Sequence, residues 1–330
     1  MRFVFAGTPD FAARVLTHLD DLGRRPCLVI SQPDRPKGRG KKTSPPEAIE
    51  AAERLGIPHV QVDDINSPDS IARIVDTGAT TLVVAAFGQI LRPALLESFL
   101  CLNVHASLLP AYRGAAPVER AIAAGEPVTG VSIMRMAEGL DEGPWALQST
   151  LSIGPRDDAG SIALGLALLG ANGVDQILTG LDDGNVMWTE QGEGAVYAAK
   201  LTAADTLLDV SRGAGKVHDQ VRSLCPGLGA RAASGDLGLK IWRTWPYGIS
   251  GLEPVPAFAR EADGRPGRLV IGECRLFLGC GEGAVEVLLL QPVGKGKMPA
   301  ADFLRGYSGR LGDAMDVAEA THSEPPSSKD

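Results

Sequence analysis

The sequence predicts an α/β fold with a parallel sheet in its first half and a small β-barrel in its second half. In residues 1–180, short apolar runs typical of buried strands alternate with segments whose apolar residues recur at helical spacing, which indicates a parallel sheet with helices on both faces. Beyond residue 200, short β-like runs are separated by glycine-rich turns, as in a small barrel. The 330 residues exceed what one compact domain usually needs, so we expect two domains.

The first half contains six predicted strands and five predicted helices in regular order. Thr8 and Pro9 follow the first strand as the N-cap and first residue of the first helix. The predicted strands are 3–6, 27–31, 59–62, 81–87, 102–106 and 131–136, and the predicted helices are 9–19, 45–55, 67–75, 118–124 and 160–180.

The second half predicts one helix, over 214–223, and then strands over 239–242, 268–271, 275–278 and 285–290. Turn-forming residues dominate 181–200, which suggests a linker, and the acidic, proline-containing end of the chain is typical of disorder. We therefore expect a first domain over 1–185, a linker over 186–203, a second domain over 204–312 and a disordered acidic tail over 313–330.

Cysteine usage and apolar run length restrict the class of protein. The five cysteines form no CxxC pair, and Cys27 and Cys101 lie within apolar strand-like runs, which indicates a reducing compartment without a zinc site or disulfide framework. The apolar runs are short, so we expect no segment that spans a bilayer. The start of the chain lacks the length and cleavage site of a signal peptide. These features predict a cytoplasmic protein without a membrane partner.

Charge is distributed unevenly along a chain whose net charge is −8. Residues 1–195 contain 16 Lys and Arg against 24 Asp and Glu, whereas residues 196–312 contain 15 against 11. An acidic first domain beside a basic second one is compatible with an RNA partner bound to one face, although it does not require one.

Polar side chains occur where predicted strands end. Asn103 and His105 are two positions apart on an extended segment, so both side chains point to the same face. Asp141 lies in a glycine-flanked loop after the next predicted strand, 131–136. If the two strand ends lie side by side, Asp141 can reach His105.

An amide, an imidazole and a carboxylate together can transfer an acyl group. The amide of Asn103 can donate to a developing oxyanion, His105 can carry a proton, and Asp141 can hold the imidazole in one orientation. Taken singly, each residue has a more ordinary interpretation: a backbone cap, a satisfied core or surface histidine, and an Asx-turn. The combination at adjacent strand ends favours the catalytic interpretation.

The same residues carry a family resemblance. Together with several flanking motifs, the chain over about residues 1 to 312 resembles the formyltetrahydrofolate-dependent formyltransferases, and among them the branch that formylates methionyl-tRNA. The motifs are Asn103-Val104-His105-Ala106-Ser107-Leu108-Leu109-Pro110, Gly139-Leu140-Asp141-Glu142-Gly143, Phe5-Ala6-Gly7-Thr8-Pro9-Asp10-Phe11-Ala12, Gln32-Pro33-Asp34-Arg35-Pro36-Lys37-Gly38-Arg39-Gly40-Lys41-Lys42, Arg113-Gly114-Ala115-Ala116-Pro117 and Leu290-Gln291-Pro292-Val293-Gly294-Lys295-Gly296-Lys297-Met298.

The resemblance implies a Rossmann-like formyltransferase domain, a C-terminal OB-like barrel that binds tRNA, and formyl transfer from 10-formyltetrahydrofolate to methionyl initiator tRNA. It implies Asn103, His105 and Asp141 as catalytic residues and Phe11 beside the aminoacyl pocket. It further implies folate binding by Phe87, Gly88, Gln89, Ile90 and Leu91 and by Ser107, Leu108, Leu109 and Pro110. No metal and no DNA partner are expected.

A basic segment lies between two predicted elements of the first domain. Five cations are interspersed with glycines, which is typical of an exposed loop that follows a phosphate backbone, although an isolated charge run is more often only solvated. The resemblance implies that this loop grips tRNA, and a second basic turn near the end of the chain is a weaker candidate. The residues are Arg35, Lys37, Arg39, Lys41 and Lys42 in the first segment and Lys295 and Lys297 in the second.

Three alternatives follow from the same residues. A folate-dependent formyltransferase for a small amine would share the catalytic trio but would not need the loop at 35–42. A nucleotide-binding oxidoreductase would need a glycine fingerprint, whereas the first strand-to-helix turn has the single Gly7. A non-catalytic RNA-binding module would need no such trio.

Overall fold

A computed structural model describes residues 1–37 and 42–317, which form two compact units. The first unit comprises residues 1–118, 127–155 and 161–200, and the second comprises 119–126, 156–160 and the chain from 201 onwards. Two short segments of the N-terminal half therefore belong structurally with the C-terminal unit.

The first half of the chain has eleven strands and six helices in its described part. The strands are β1 Phe3–Gly7, β2 Leu28–Ser31, β3 Arg35–Lys37, β4 Lys42–Ser44, β5 His59–Gln61, β6 Thr81–Ala85, β7 Leu100–His105, β8 Arg113–Gly114, β9 Val128–Arg135, β10 Trp145–Ser152 and β11 Tyr197–Ala198. The helices are α1 Asp10–Asp21, α2 Glu47–Leu55, α3 Pro68–Asp76, α4 Pro93–Ser98, α5 Pro117–Ala124 and α6 Ala159–Asp182.

A seven-stranded sheet is the centre of the first unit, in the order β10-β9-β7-β6-β1-β2-β5. The strands from β7 to β5 in this order are parallel, whereas β9 runs antiparallel to β7 and β10 antiparallel to β9. Every residue of β1 and β6 is buried, as expected for strands covered on both faces. The predicted α/β class with a mostly parallel sheet is confirmed.

Local sequence signals explain where several of these helices begin and end. Ser67 is the N-cap of α3, its hydroxyl accepts a hydrogen bond from the amide of Ser70 at 3.2 Å, and Pro68 occupies the first helical turn. Helix α2 ends at Gly56, whose φ of 64° is the left-handed conformation that glycine adopts without strain.

The first helix differs from its prediction. Its N-cap position is Pro9 rather than Thr8, and the helix begins at Asp10. The Thr8 hydroxyl instead donates to the carbonyl oxygen of Phe87 at 2.9 Å, which ties the β1–α1 turn to the segment after β6. The Thr8 hydroxyl therefore bonds a distant carbonyl instead of capping the helix that follows it.

Short apolar runs predicted no segment that spans a bilayer, and helix α6 is the one described helix that is long and apolar enough to be tested against this expectation. The helix has 24 residues and contains an 18-residue window with a mean hydropathy of 1.4, so it passes that test by length and composition. Half of its most apolar window is nevertheless buried within the protein, and the core helix of a soluble protein passes the same test.

The C-terminal unit is built on an antiparallel sheet. Its strands are β12 Ala230–Ser234, β13 Leu237–Tyr247, β14 Leu269–Gly272, β15 Arg275–Gly279, β16 Ala284–Pro292, β17 Met298–Pro299 and β18 Asp316–Val317. Its helices are α7 Ala214–Ser223 and α8 Ala300–Tyr307, with 3-10 turns at Ala204–Thr206, Ala257–Ala262 and Ser308–Arg310. The predicted C-terminal β domain is confirmed.

The segment that precedes β18 joins the two edges of this sheet. The sheet order is β14-β15-β16-β13-β12-β18, so β14 and β18 are its edges. Leu269 donates from its amide to the carbonyl of Asp313 at 3.0 Å, and Met315 donates to the carbonyl of Gly267 at 2.7 Å. Residues 313–317 therefore close the sheet into a barrel, as the OB-like prediction requires. The tail was expected to start at 313, but residues 313–317 are part of the barrel, and 318–330 lie outside the described residues.

The barrel interior is apolar, and residues of α7 and α8 cover it. Val217 and Val221 of α7 and Phe303 of α8 are fully buried among the inward-facing residues of the strands. Sealing a small barrel with helices removes from water the apolar surface that the strands alone would leave exposed.

Polar contacts attach the two early segments to the C-terminal unit. Arg120 forms an ion pair with Asp205, and Arg222 donates to the carbonyl of Asp157 at 3.0 Å. Asp205 also accepts from the amide and hydroxyl of Thr202, at 2.7 and 2.9 Å. The hydrogen bond from Arg120 is the main cause that lowers the pKa of Asp205 to about 2.

We expect Asp205→Asn to lower the free energy of unfolding by about 1 kcal/mol at neutral pH, because it removes a charge-assisted but partly exposed pair. The folded pKa lies below the unfolded value of about 3.9, so the stabilisation is complete above that value and is lost as the pH falls towards about 2. Urea unfolding of parent and variant across this range would show the difference shrinking.

Asp236→Asn provides the control for this prediction, because Asp236 pairs with Arg310 in a far more exposed position. Asp236→Asn should change the free energy of unfolding by less than about 0.5 kcal/mol at every pH in this range. If the Asp205→Asn variant still had the full loss in free energy of unfolding at about pH 2.5, the lowered pKa of Asp205 would be contradicted.

Candidate active site

Asn103 and His105 lie at the carboxyl end of β7, near the middle of the sheet. Because strand side chains alternate, the two share one face, while Val104 between them packs on the other. His105 is 5 % exposed. Parallel strands present their carboxyl ends along one edge of the sheet, which is where α/β proteins bind ligands.

Asp141 reaches this face by a different route from the one expected. Since β9 is antiparallel to β7, Arg135 at its end pairs with Leu102, and the amide of Met136 donates to the carbonyl of Cys101 at 2.8 Å. The two strands do not end side by side. The loop after β9 instead folds back until Asp141 meets the end of β7.

The carboxylate of Asp141 joins three groups. Its Oδ1 accepts from Nδ2 of Asn103 at 3.2 Å, and its Oδ2 accepts from the amide of Gly114 at 2.9 Å. Oδ2 also lies 3.5 Å from Nδ1 of His105, and the Asp141 side chain is 12 % exposed. The structure thus brings the three predicted catalytic side chains together.

Both ring nitrogens of His105 face acceptors. Nε2 lies 2.9 Å from the carbonyl oxygen of Tyr112, and since a carbonyl can only accept, Nε2 carries the hydrogen. Nδ1 faces the carboxylate of Asp141. A neutral imidazole carries one ring hydrogen, so it can donate to only one of the two acceptors at a time.

The loop conformation places the backbone of Asp141 in an uncommon region. Asp141 has a φ of 53°, the left-handed region that L-residues seldom occupy and that the surrounding structure must maintain. Two residues later, a Cβ on Gly143 would lie 1.9 Å from the carbonyl oxygen of Arg135. Only glycine permits this close approach, which brings the loop back onto β9.

Sequence reasoning missed the residues that support the loop. Gln191 donates from Nε2 to the carbonyls of Asp141 and Gly143, both at 2.7 Å, and its Oε1 accepts from Arg113 at 3.0 and 2.8 Å. Gln191 lies in the predicted linker, a segment whose composition indicates only turns. The Arg113-Gly114 motif was noted, but without a role, and neither the Gly114 amide nor the Tyr112 carbonyl carries a side-chain signal.

Part of the predicted folate-binding segment after β6 is buried and makes hydrogen bonds within the protein. Phe87 and Leu91 are buried in the core, and the Phe87 carbonyl accepts from both Thr8 and Gln32, the latter at 2.7 Å. The side chain of Gln89 holds the segment to residues 63–65, accepting from the Ile65 amide at 2.8 Å and donating to the Asp63 carbonyl at 3.1 Å.

The exposed part of this segment is Gly88 to Ile90. Gly88 has a φ of 80°, and Ile90 is 77 % exposed. Backbone groups of these residues and the Ile90 side chain are therefore the surface that the segment can offer to a ligand.

The second predicted folate segment follows His105 directly. Ser107 and Leu109 are buried, and Ser132 of β9 donates to the Ser107 carbonyl at 2.7 Å and accepts from the Leu109 amide at 3.1 Å. Gln148 donates to the Leu109 carbonyl at 2.9 Å. These bonds shape the segment, which leaves Leu108 and Pro110 half-buried.

The remaining predicted site residues belong to other elements or lie outside the described residues. Phe11 is the half-buried second residue of α1, just after the carboxyl end of β1. The backbone of Arg35 and Lys37 in β3 pairs with β4, which begins at Lys42. Arg39 and Lys41 lie outside the described residues, so the basic loop stays a prediction.

In the C-terminal unit, Lys295 and Lys297 are exposed in the turn between β16 and β17. The ammonium of Lys297 lies 3.3 Å from the ring centroid of Trp242, a cation–π contact that holds the turn against the barrel. Among residues 1–37 and 42–317, no group of three or more His, Cys, Asp and Glu is arranged to hold a metal ion.

Comparison with known proteins identifies the family. The formyl transferase family model matches residues 1–177, and the model for the formyl transferase C-terminal domain matches residues 200–308. The methionyl-tRNA formyltransferase of Methylobacterium sp. (strain 4-46) is 40 % identical over 309 residues, 93 % of this chain and 96 % of the relative. The chain belongs to the methionyl-tRNA formyltransferase family.

Further relatives agree with this membership. The methionyl-tRNA formyltransferase of Aromatoleum aromaticum is 39 % identical over 321 residues, 96 % of this chain and 98 % of that one. The resemblance inferred from the motifs is thus confirmed for the methionyl-tRNA formyltransferase family along nearly the full chain.

Solved structures share the formyltransferase fold at low identity. HypX from Aquifex aeolicus superposes with a TM-score of 0.62 at 16 % identity, over 95 % of this chain and 50 % of HypX. The sugar 3N-formyl transferase WlaRD superposes with a TM-score of 0.59 at 16 % identity, over 90 % of this chain and 99 % of WlaRD. At such identities the likeness establishes the fold alone.

Replacing His105 or Asn103 by Ala is expected to reduce turnover by about two to three orders of magnitude, because one acid–base group or oxyanion donor typically contributes this much. Binding of the folate should change little, since both groups act mainly as charge develops. Single-turnover formylation assays with a parallel folate-binding measurement would check this. A rate close to the parent rate in either variant would remove that residue from the catalytic set.

Asp141→Asn is expected to be about as harmful as His105→Ala, because the amide can no longer accept from every group that the carboxylate now joins. The double variant His105→Ala/Asp141→Asn should be little slower than either single variant, since residues that act as a unit are strongly non-additive. Fully additive losses in single-turnover rate would instead give Asp141 an independent role.

Proposed function

We propose that the protein transfers the formyl group of 10-formyltetrahydrofolate to the α-amine of methionyl initiator tRNA. The observation that carries this proposal is the meeting of Asn103, His105 and Asp141 at the carboxyl edge of the sheet, in a chain with full-length methionyl-tRNA formyltransferase relatives. As a reaction of translation initiation, it is proposed to take place in the cytoplasm.

Formyl transfer needs a hydrogen-bond donor at the formyl oxygen and a proton carrier near the two nitrogens. The α-amine attacks the formyl carbon, a carbon–nitrogen bond forms, and the carbonyl oxygen becomes an oxyanion. The bond from the formyl carbon to N10 of the folate then breaks, while one proton passes from the attacking amine to N10. No redox change occurs, and a donor at the oxygen and a proton carrier at the nitrogens are sufficient.

Asn103 supplies the donor. One hydrogen of its Nδ2 is directed at Asp141 and fixes the plane of the amide, while the same nitrogen carries a second hydrogen that can bond the formyl oxygen. A donor held in place before the reaction stabilises the oxyanion without reorganisation.

His105 supplies the proton carrier, with Asp141 stabilising its protonated form. In the described conformation Nε2–H is bonded to the Tyr112 carbonyl, so this hydrogen bond must be exchanged for one to the substrate when the proton moves. The 3.5 Å separation of Nδ1 from Asp141 is long for a hydrogen bond, as catalytic contacts often are without substrate.

A folate-type formyl donor follows from the family. HypX and WlaRD, which share the fold, were crystallised with tetrahydrofolic acid and with 5-N-formyl-THF, respectively. For this chain we propose that the exposed backbone of residues 88–90 and the segment 107–110 bind the donor. No metal is proposed, because an oxyanion donor and a proton carrier account for the chemistry.

The tRNA partner is proposed to contact the basic loop at 35–42 and the exposed turn with Lys295 and Lys297. Neither segment shows a base-reading pattern, so we expect that shape and end-pairing distinguish the initiator. A small-amine formyltransferase is the nearest alternative. Incubation with formyl-folate and either charged initiator tRNA or amino-sugar nucleotides would separate the two activities.

Neutralising Arg39, Lys41 and Lys42 together, with Gln at each position, should raise the apparent KM for charged tRNA and flatten its salt dependence. Each lost phosphate contact should reduce the slope of log K against log salt by somewhat under ~1 unit. The net charge of −8 leaves no diffuse positive field to compensate for a lost local contact. Binding of charged initiator tRNA at several salt concentrations provides the measurement.

The matched control removes three exposed cations elsewhere in the first domain, Arg2, Arg54 and Arg73. That variant should keep the parent slope, and both triple variants should consume formyl-folate without tRNA at the parent rate. An unchanged slope in the loop variant would make the loop a solvated surface and would favour the small-amine activity.

A further inference from the structure

We infer that Gln191 is a positioning residue for formyl transfer, which acts by holding the backbone on both sides of the Asp141 carboxylate. This inference rests on the proposed function of the Asp141 site. Gln191 follows α6 in the segment that leads to β11, far in sequence from the loop that it supports. Its side chain bonds the carbonyls of Asp141 and Gly143, each at 2.7 Å.

The orientation of the Gln191 amide is determined by Arg113. A guanidinium carries only donors, so the amide oxygen must face Arg113, from whose Nε and Nη2 it accepts at 3.0 and 2.8 Å. The NH2 group then faces the two loop carbonyls, and both of its hydrogens are used. Arg113 is 9 % exposed and also lies 3.4 Å from the carboxylate of Glu142.

The loop depends on such bonds because hydrophobic burial does little to hold it. Leu140 is 60 % exposed, and the side chain of Glu142 is 49 % exposed. Asp141 between them occupies the left-handed region, a strained conformation that surrounding contacts must maintain. Two short hydrogen bonds to the carbonyls at 141 and 143 fix the peptide planes after both residues.

Fixing these planes also fixes the carboxylate. Asp141 must meet Asn103, Gly114 and His105 together, so a rotation of its backbone would lengthen several contacts at once. A displacement of about 1 Å at a catalytic group can reduce the rate by about 100-fold. Gln191 itself touches no reacting atom, since its polar atoms are occupied by the loop and by Arg113.

The test uses Gln191→Glu and Gln191→Ala in the full chain. The Glu variant has nearly the same shape and keeps an acceptor for Arg113, but it turns a carboxylate oxygen towards two carbonyls. We expect kcat for charged initiator tRNA to fall by about 10- to 100-fold in both variants, with KM changed less than about twofold. Glu193→Ala, an exposed change two residues away, should keep the parent kcat.

Two further measurements separate positioning from general stability. In the Asp141→Asn background, adding Gln191→Ala should lower kcat by less than about a further threefold, because Gln191 acts through Asp141. In protein with 15N-labelled histidine, the ring resonances of His105 should shift in both Gln191 variants and stay unchanged in Glu193→Ala. This readout needs no substrate, so it tests the inference even if the parent fails to formylate methionyl-tRNA.

Three results would overturn the inference. The first is a Gln191→Glu protein with kcat within about twofold of the parent. The second is an unchanged set of His105 ring resonances in both variants. The third is a lower melting temperature without a loss of kcat, which would show that Gln191 is only structural.

Discussion

The carboxylate of Asp141 is the contact on which the candidate site depends. It accepts from a side chain of β7, Asn103, and from the backbone of β8 at Gly114, and it faces the ring of His105. A single ionised group can do this because a carboxylate offers about four acceptor positions on two oxygens. Without this carboxylate, no shared contact would hold the Asn103 amide and the His105 ring in fixed positions relative to each other. The oxyanion donor and the proton carrier would then no longer face the same substrate.

The rest of the first unit maintains that contact. The parallel strands bring β7 to the middle of the sheet with its carboxyl end facing the site. The antiparallel β9 carries the loop to the wrong end of β7, so the loop must fold back, which Gly143 permits through its close approach to Arg135. Gln191 then holds the returning loop from a segment after α6. Chemistry at one edge of the sheet thus depends on four separate stretches of chain.

Much of the fold followed from periodicity, while the differences have identifiable causes. Helix 214–223 and the strands starting near 3, 28, 81 and 102 were recognised because apolar spacing and burial agree there. Strand β10 was missed because its half-buried residues do not form a continuous apolar run. The closing segment at 313–317 was assigned to the tail because acidic residues surround the buried Met315, whereas its place in the barrel comes from backbone hydrogen bonds.

The sequence by itself determined the chemical parts of the site and the family, because Asn103, His105 and Asp141 stand in distinctive local motifs. It also determined that Asn103 and His105 share a face, since strand alternation is a local property. Only the tertiary structure decided how Asp141 reaches them, which atoms it joins, and that Gln191 and Arg113 support it. The direction of a strand depends on how distant segments pack, and so do contacts between residues about 50 positions apart. Hydrogen bonds from a side chain to the backbone, such as those of Gln191, follow no periodicity or composition that a sequence could display.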